Sequence, residues 1–385
     1  MPIPADPCVF VSQQSGQIII VYVDDLILIG QDIQTIELLK EAFRNKYKVR
    51  DLGPIAYYLG IRIIRNRQAR SIRLVQDAYI RKILHTFHME NCPPASTPIH
   101  PSAVNFKPRE PEDQAPTELV KRYQSLIGSL LYPCNWTRPD VAWAVGKLCQ
   151  FLHNPTELHM EAAMQILAYY AGTIDLGIEF GLPQGQQPPP KAFAETSTTD
   201  HTTPSCNKEY SGSAPGDIPD LQLHGYSDAA FADSVNRKST SGYIYKLAGG
   251  PVSHKSSKQS ILTTSTTEAE YVAMTHAAKE ALWLRRLLTD LGYTGKDLLP
   301  IHLYGDNQPA IDLARSDDYH ARTKHFELYW HYIRDKVQSG VIHLQHVPTS
   351  SMVADGLTKP LPTIQFRNFV KQLGLVRCDI DTKPK

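Results

Sequence analysis

Six carboxylates in this chain stand where residues of their type could do chemistry. Asp24 and Asp25 sit side by side in "IIIVYVDDLILIG", residues 18–30, between two apolar runs that normally exclude charge. Side chains alternate along a strand. Strands Ile18–Tyr22 and Leu26–Ile29, joined by a tight turn, therefore place both acids at the tip of a buried hairpin. Two readings stay open: Asp forms turns by bonding its own backbone, and carboxylates on a rigid tip are also the oxygen ligands that Mg²⁺ takes while it holds substrate phosphates. The other four come later. Asp228 follows a strand in "GYSDAAFADS", Glu270 lies in the first turn of a long helix in "TSTTEAEYVAM", Asp306 ends a strand in "LYGDNQPA", and Asp355 lies where the last helix begins in "SMVADGLTKPL".

Ligands gather at the carboxyl ends of strands in an open sheet, so four acids from four elements could converge on one point. Unpaired carboxylates there would repel one another unless cations bound between them. Two divalent ions roughly 4 Å apart are what in-line phosphodiester hydrolysis uses. Each acid also has a plainer explanation. Glu270 fits a capping box with Thr267, Asp228 and Asp306 could close turns, and the charge of Asp355 suits a helix's first turn.

These residues need elements to hold them. "IQTIELLKEAFRNKY" reads as a helix with Ile36, Leu39 and Phe43 on one face, and "DLGPIAYYLGIRIIR" as a turn and strand. Residues 119–180 are helical, with apolar residues at intervals of three and four. Trp136, Trp143, Tyr169 and Tyr170 in that region either pack a core or stack on bases. The last part alternates strands ("LQLHGYSDA", "SGYIYKLAG", "PVSHKSS", "IHLYGD", "VIHLQHVP") with helices over Thr267–Leu291, Pro309–Ala314 and Phe326–Gln338 and a last one from near Met352, a mixed-sheet α/β layout. Two Pro-rich polar stretches, 97–118 and 183–220, read as linkers, the second too polar to offset its ordering entropy.

Bulk properties exclude more than they assign. With 385 residues there is room for two or three domains, and a net charge of +1 names no partner. The six cysteines are scattered without a CxxC, which speaks against a disulfide framework and a zinc site. No apolar run approaches the ~18 residues of a membrane span, and no signal peptide is evident, so an intracellular protein is expected.

The motifs together resemble the C-terminal half of the Pol polyprotein of Ty1/copia-type LTR retrotransposons, from Cys8 to about Leu375. "YVDDLILIG" is similar to the reverse-transcriptase palm motif, and "DLGPIAYYLGIRI" to the following segment that grips the primer end. "YQSLIGSLLY…TRPDVAWAV" and "LHMEAAMQILAYYAGT" resemble the connection between polymerase and nuclease. "YSDAAFADSVNRKSTSGYIYKLAGGPVSHKSSKQ", "TTSTTEAEYVAMTHAAKEALWLRRLL", "GDNQPAIDLA", "HARTKHFELYWHYIRDKV" and "HVPTSSMVADGLTKPL" resemble its ribonuclease H domain.

The resemblance implies an α/β and α+β chain. Residues 1–96 would form the C-terminal part of the palm and the start of the thumb, 97–118 a linker, 119–182 a helical thumb/connection region, and 183–220 a disordered linker. Residues 221–375 would form a ribonuclease H-like mixed five-stranded sheet flanked by helices, with 376–385 as a tail. It implies that Asp24 and Asp25 bind polymerase metal, and that Asp228, Glu270, Asp306 and Asp355 hold two Mg²⁺ (or Mn²⁺) ions that cut the RNA strand of an RNA–DNA hybrid. Glu270 is preferred to Glu268 because "EYVA" follows the nuclease pattern. Lys238, Lys255, Lys258, Arg322 and Lys324 are candidates to track phosphates. Template–primer nucleic acid is the other implied partner. Localisation would be cytoplasmic, in a virus-like particle, or nuclear, with no membrane association. The sequence departs from the family in lacking a further palm aspartate and the fingers, so polymerase activity is not expected from this chain alone. "PTSSMVAD" also lacks the histidine that many such nucleases carry before the last aspartate. An inactive remnant that at most binds nucleic acid, a dimer, and a polymerase part completed by another portion are the alternatives.

Overall fold

The computed structural model of the chain describes residues 1–12, 14–181, 222–234, 236–293, 298, 300–316 and 327–380. The stretch expected as a linker over 183–220, and the candidate phosphate contacts Arg322 and Lys324, lie outside the described residues. The chain divides into two compact units.

Among the described residues the first unit holds 1–55 and 279–300. Its strands β1 (Pro2–Ile3), β2 (Asp6–Val11), β3 (Ile18–Tyr22) and β4 (Asp25–Ile29) pair antiparallel in chain order. Helix α1 (Ile33–Lys46) follows, with Asp32 as its N-cap accepting from the Gln34 and Thr35 N–H groups. Ile36, Leu39 and Phe43 share its half-buried face, but no residue of this helix is fully buried. The core is small: Ile3, Val9 and Ile18, with Leu287 and Leu291 packed against it. The Asp290 carboxylate also accepts from the Ala5 N–H at 2.9 Å.

The first hairpin has the expected strands, with Tyr22 paired to Asp25 across a two-residue turn. The expectation of a buried hairpin is corrected, because Tyr22 is 54% and Val23 83% exposed. Val23 has φ 52°. A β-branched residue at positive φ is an outlier, and such strain persists only where the surroundings hold it.

Among the described residues the second unit holds 56–181, 222–278 and 301–380, so the boundary expected at residue 96 falls inside it. One of its sheets runs β5 (Tyr57–Tyr58), β6 (Ile61–Asn66), β7 (Ser71–Val75), β8 (Leu176–Gly181) and, from the far end of the chain, Leu375–Arg377. The residues expected to begin a tail thus complete a strand on β8. Helices α2 (Asp77–Thr86), α3 (Thr117–Trp136), α4 (Ala142–Cys149) and α5 (Glu157–Ala171) pack together. Residues 97–118 are no free linker, since Ile99, Ala103 and Phe106 are buried and Lys147 donates to the Val104 carbonyl at 3.0 Å. Of the four aromatics, Trp143, Tyr169 and Tyr170 are core, whereas Trp136 is 48% exposed.

The helical layer is organised around a charge that never meets water. Arg138, fully buried, forks onto Asp140 through Nε at 3.0 Å and Nη2 at 2.8 Å. Its Nη1 donates to the Thr173 carbonyl, and its guanidinium lies 4.7 Å from the Tyr170 ring centroid. Tyr169 donates to Asp140 at 2.6 Å. Two ions are tolerable in a dry core only when every donor and acceptor is matched in this way.

The other sheet contains β9 (His224–Ala230), β10 (Thr240–Leu247), β11 (Gly250–Lys258), β12 (Ile301–Gly305) and β13 (Ile342–His346). Its spatial order is β11-β10-β9-β12-β13, with the first three antiparallel and β9, β12 and β13 parallel. Helix α6 (Thr266–Asp290) lays Ala269, Ala273 and Ala277 into the core, where Tyr245 donates to the Ala277 carbonyl at 2.7 Å. Helices α7 (Gln308–Arg315) and α8 (Glu327–Gln338) follow their strands as expected. The last helix does not start near Met352. Residues 349–351 and 353–357 form two short 3₁₀ turns, and α9 (Thr363–Leu373) begins after Pro360 and Pro362, which α-helix interiors exclude. Strand β14 (Leu375–Arg377) then closes the sheet on β8. Among the described residues no helix is long and apolar enough to cross a membrane.

Replacing Asp140 by Asn would leave the buried guanidinium without its counter-charge and should cost roughly 3–5 kcal/mol. Tyr169→Phe removes one bond and should cost about 1 kcal/mol. Urea denaturation of both variants beside the wild type checks the order; equal, small losses would show that Arg138 finds water in solution.

Candidate metal centre

Strand β9 delivers Asp228 from within its length, not after its end, opposite Gly242 of β10. Asp306 lies one residue beyond β12, the parallel neighbour of β9. Asp355 sits in the 3₁₀ turn of residues 353–357. Ligand oxygens of these three residues all lie within 4.8 Å of one another. Glu270 completes the group: 6% exposed, it shares a hydrogen bond with the Asp228 carboxyl and also accepts from the Ala229 N–H.

The plainer explanation fails for Glu270 and for Asp306, because in each case a neighbour does the capping. Helix α6 is capped by Ser265 and Glu268, not by Thr267 and Glu270. The Ser265 hydroxyl accepts from the Glu268 N–H, while the Glu268 carboxylate accepts from Thr264. Glu270 is two residues further round the helix and is left for the sheet. Helix α7 is capped by Asn307, which accepts from the Ala310 N–H at 3.0 Å, so the Asp306 carboxylate does not cap the helix. Asp228 is part of a ladder and closes no turn.

The centre is drawn together by a glycine that carries no signal in the sequence pattern. A Cβ on Gly242 would lie 2.8 Å from both Leu357 and Thr358, so only glycine lets the 3₁₀ turn settle on the strand opposite Asp228. Thr358 then donates its hydroxyl to the Asp228 carboxylate and lies 3.0 Å from the Asp355 carbonyl. Thr349 donates to Asp306 at 2.9 Å, and a ring nitrogen of His346 lies 3.2 Å from the Asp306 carbonyl. His346 lies outside "PTSSMVAD", where the histidine was sought. Lys359 pairs with Asp355 at 3.0 Å.

Two residues before each sheet carboxylate, on the same face, Tyr226 and Tyr304 stack at 5.0 Å and are buried. Burial raises the Asp228 carboxyl, with Asp306 adding to it and Thr358 and Lys359 opposing. Glu270 is pushed well above the carboxylate range by burial and then by Asp228 and Asp306. Asp355 is pushed up to about 6 by burial and then by Asp228. Burial disfavours the Lys359 ammonium, but Asp228 and Asp355 outweigh it and hold the proton more tightly than usual.

The donor set suits a hard divalent ion. It offers carboxylate oxygens without sulfur or imidazole, desolvated and short of positive charge, with one lysine against three gathered aspartates. Asp24 and Asp25 are not brought into it: both are exposed on the first hairpin, and no third carboxylate joins them among the described residues.

A mixed sheet in this order, with acids at its first and fourth strands and at the start of the long helix, defines a ribonuclease H-like fold. Residues 2–101 match the family described as Reverse transcriptase (RNA-dependent DNA polymerase). The chain is 35% identical to the retrovirus-related Pol polyprotein from transposon TNT 1-94 of Nicotiana tabacum, over 96% of this chain and 26% of that protein. It is 34% identical to the Pol polyprotein from transposon RE1 of Arabidopsis thaliana, over 97% of this chain and 23% of that protein. The solved structure of the foamy viral protease-reverse transcriptase in complex with RNA/DNA hybrid is similar at 15% identity over 95% of this chain and 38% of that chain, with a TM-score of 0.42. The chain belongs to the Ty1/copia-type retrotransposon Pol family and spans about a quarter of the length of these two polyproteins.

The raised carboxyls make metal-free stability pH-dependent. Between the ordinary 3.8 of Asp355 and its folded value of about 6, the folded chain holds a proton that the unfolded chain has lost. Its contribution, roughly 3 kcal/mol for two pKa units, is full below about pH 4 and lost as pH rises through 6. Melting in EDTA from pH 4 to 8 should show a destabilising slope that Asp355→Asn makes shallower, and Mg²⁺ should restore stability at pH 7.5 more than at pH 5. Equal slopes in the two proteins would count against the gathered geometry. Gly242→Ala should lift the 3₁₀ turn and weaken Mn²⁺ binding, read by calorimetry, about tenfold or more.

Proposed function

We propose that this chain is a metal-dependent ribonuclease H that cuts the RNA strand of RNA–DNA hybrids. The observation that carries the reading is the convergence of Asp228, Asp306 and Asp355 within 4.8 Å, with Glu270 bonded to Asp228. These four would hold two Mg²⁺ or Mn²⁺ ions, which when bound supply the charge that activates water and stabilises the leaving oxygen. Thr358 orients the Asp228 carboxylate and Thr349 that of Asp306, so the oxygens are aimed before substrate arrives. Lys359, 44% exposed beside Asp355, has one end of its reach in solvent, where a scissile phosphate could meet it.

The 2′-hydroxyls of the RNA strand and the shape of the hybrid would supply the selection. Lys255 and Lys258 lie on β11, and Lys238 in the loop before β10 donates to the Ser260 carbonyl at 2.5 Å, which leaves it less freedom to follow phosphates. Asp24 and Asp25 are assigned to a polymerase metal pair, a reading that the strain at Val23 beside them supports. That pair would need a third carboxylate and a nucleotide pocket supplied by another portion of polypeptide.

The test is cleavage of a hybrid labelled on its RNA strand, in Mg²⁺ or Mn²⁺. Asp228→Asn and Asp306→Asn should each lower the rate at least about 100-fold, whereas Asp24→Asn and Asp25→Asn should leave it unchanged. A folded wild type that binds hybrid without cutting it would put the inactive remnant in front.

A further inference from the structure

The hairpin of β6 and β7 carries Arg62, Arg65, Arg67, Arg70 and Arg73, and no Asp or Glu occurs from Tyr57 to Gln76. Five like charges on one ribbon repel one another and call for partners. The two at its base have them. Arg62 forks onto buried Asp77 at 2.9 and 2.8 Å, and Arg73 pairs with Glu179 at 2.8 Å. A cavity of about 440 Å³ opens beside the turn, lined by Asn66, Ala69, Ser71, Arg73 and Glu179 among others. Its one cation is therefore already matched by its own acid, and towards the tip Arg65 and Arg67 are left without an acidic partner among the described residues.

The tip is built, not frayed. Asn66 pairs with Ser71 across the ladder, and its side-chain oxygen accepts from the Ala69 N–H at 2.9 Å. Arg70 takes the left-handed conformation, φ 52°, that closes the turn. Arg65, Arg67 and Arg70 are all exposed, and neither Arg65 nor Arg67 has an acidic partner among the described residues. Strand protection does not explain Arg67 and Arg70, because β6 and β7 lie inside the sheet order and these two residues lie beyond the ladder. Residues 67–70 bring no large apolar side chain, which a protein partner would need as an anchor. Guanidinium groups on a short ordered turn instead match phosphate oxygens two at a time.

We propose that the turn between β6 and β7 is a contact for the phosphate backbone of nucleic acid, made by Arg65, Arg67 and Arg70. It deepens the nuclease reading and rests on it for the identity of the polyanion. The contact is sequence-independent, holds the duplex by charge, and takes no part in the chemistry at the carboxylates.

The experiment is fluorescence anisotropy of the full chain with a 20-base-pair RNA–DNA hybrid in EDTA, across a KCl series. The triple variant Arg65→Gln/Arg67→Gln/Arg70→Gln is compared with wild type and with the triple Lys variant. Removing one phosphate neutralisation lowers the log–log salt slope by about 0.9, so the Gln variant should bind about tenfold or more weaker at low salt, with a slope smaller by two to three. The Lys variant should keep most of the slope, and melting temperatures should match. Single-stranded RNA and duplex DNA of equal length, run alongside, show whether any backbone suffices: a parallel weakening on both supports a pure phosphate contact. Unchanged affinity and slope on all three nucleic acids would overturn the proposal while leaving a cutting wild type intact. A wild type whose slope depends on the arginines but which does not cut overturns the nuclease reading instead.

Discussion

Carboxylates gathered around one point repel one another, and the ribonuclease H-like part of this chain is arranged to hold them there regardless. Tyr226 and Tyr304, two residues before Asp228 and Asp306, stack and are buried, and Asp228 itself is closed off from water. Two contacts offset part of that repulsion: the Lys359 ammonium beside Asp355 and the hydroxyl of Thr358 on Asp228. Neither satisfies all the charge. The remaining deficit is what a divalent ion would relieve, so the stability of the site and its affinity for metal are two views of one electrostatic imbalance.

The geometry behind that imbalance depends on backbone more than on the acids. Gly242 sits opposite Asp228, and its missing side chain admits the turn that carries Asp355 and Thr358. Gly356 repeats the device one layer out, where a Cβ would fall 2.5 Å from the Phe369 ring and push α9 off the turn. Two glycines thus stack strand, turn and helix closely enough for a side chain as short as threonine to bridge two acidic elements. An alanine at either place keeps every carboxylate in the sequence and still spoils the centre.

Much of this was legible in the sequence, and what was not has identifiable causes. Strands β3, β9, β10, β12 and β13 and helices α1, α6 and α7 lie close to where apolar alternation and periodicity place them, because half-buried elements must keep those patterns. The order of the four acids also survives. The partner of each acid did not show, since Ser265 with Glu268 and Asn307 offer the same capping chemistry as their neighbours and only packing decides which is spent on the helix end. Residues 97–118 look like a linker by composition, yet Ile99, Ala103 and Phe106 are enough to fasten them. The strand at Leu375–Arg377 pairs with Ile178, Gly177 and Leu176, some two hundred residues away, and no local pattern can announce such a partner.

The two acidic sites fail and succeed for opposite reasons. Asp24 and Asp25 are adjacent in the chain, so a short strained turn presents both at once, and the motif can be read by eye. Adjacency is also its limitation: neighbouring residues on a two-strand tip point into open solvent, where water screens their charge and no third acid confines an ion among the described residues. Asp228, Glu270, Asp306 and Asp355 are spread over more than a hundred residues and become a site only when a whole sheet, a long helix and a 3₁₀ turn have assembled. Assembly supplies what adjacency cannot: exclusion of water, fixed angles between carboxylates, and enough unrelieved charge to make a divalent ion worth binding. A chain that keeps its fold therefore keeps the second cluster as a consequence of folding, whereas Asp24 and Asp25 stay together through their place in one turn.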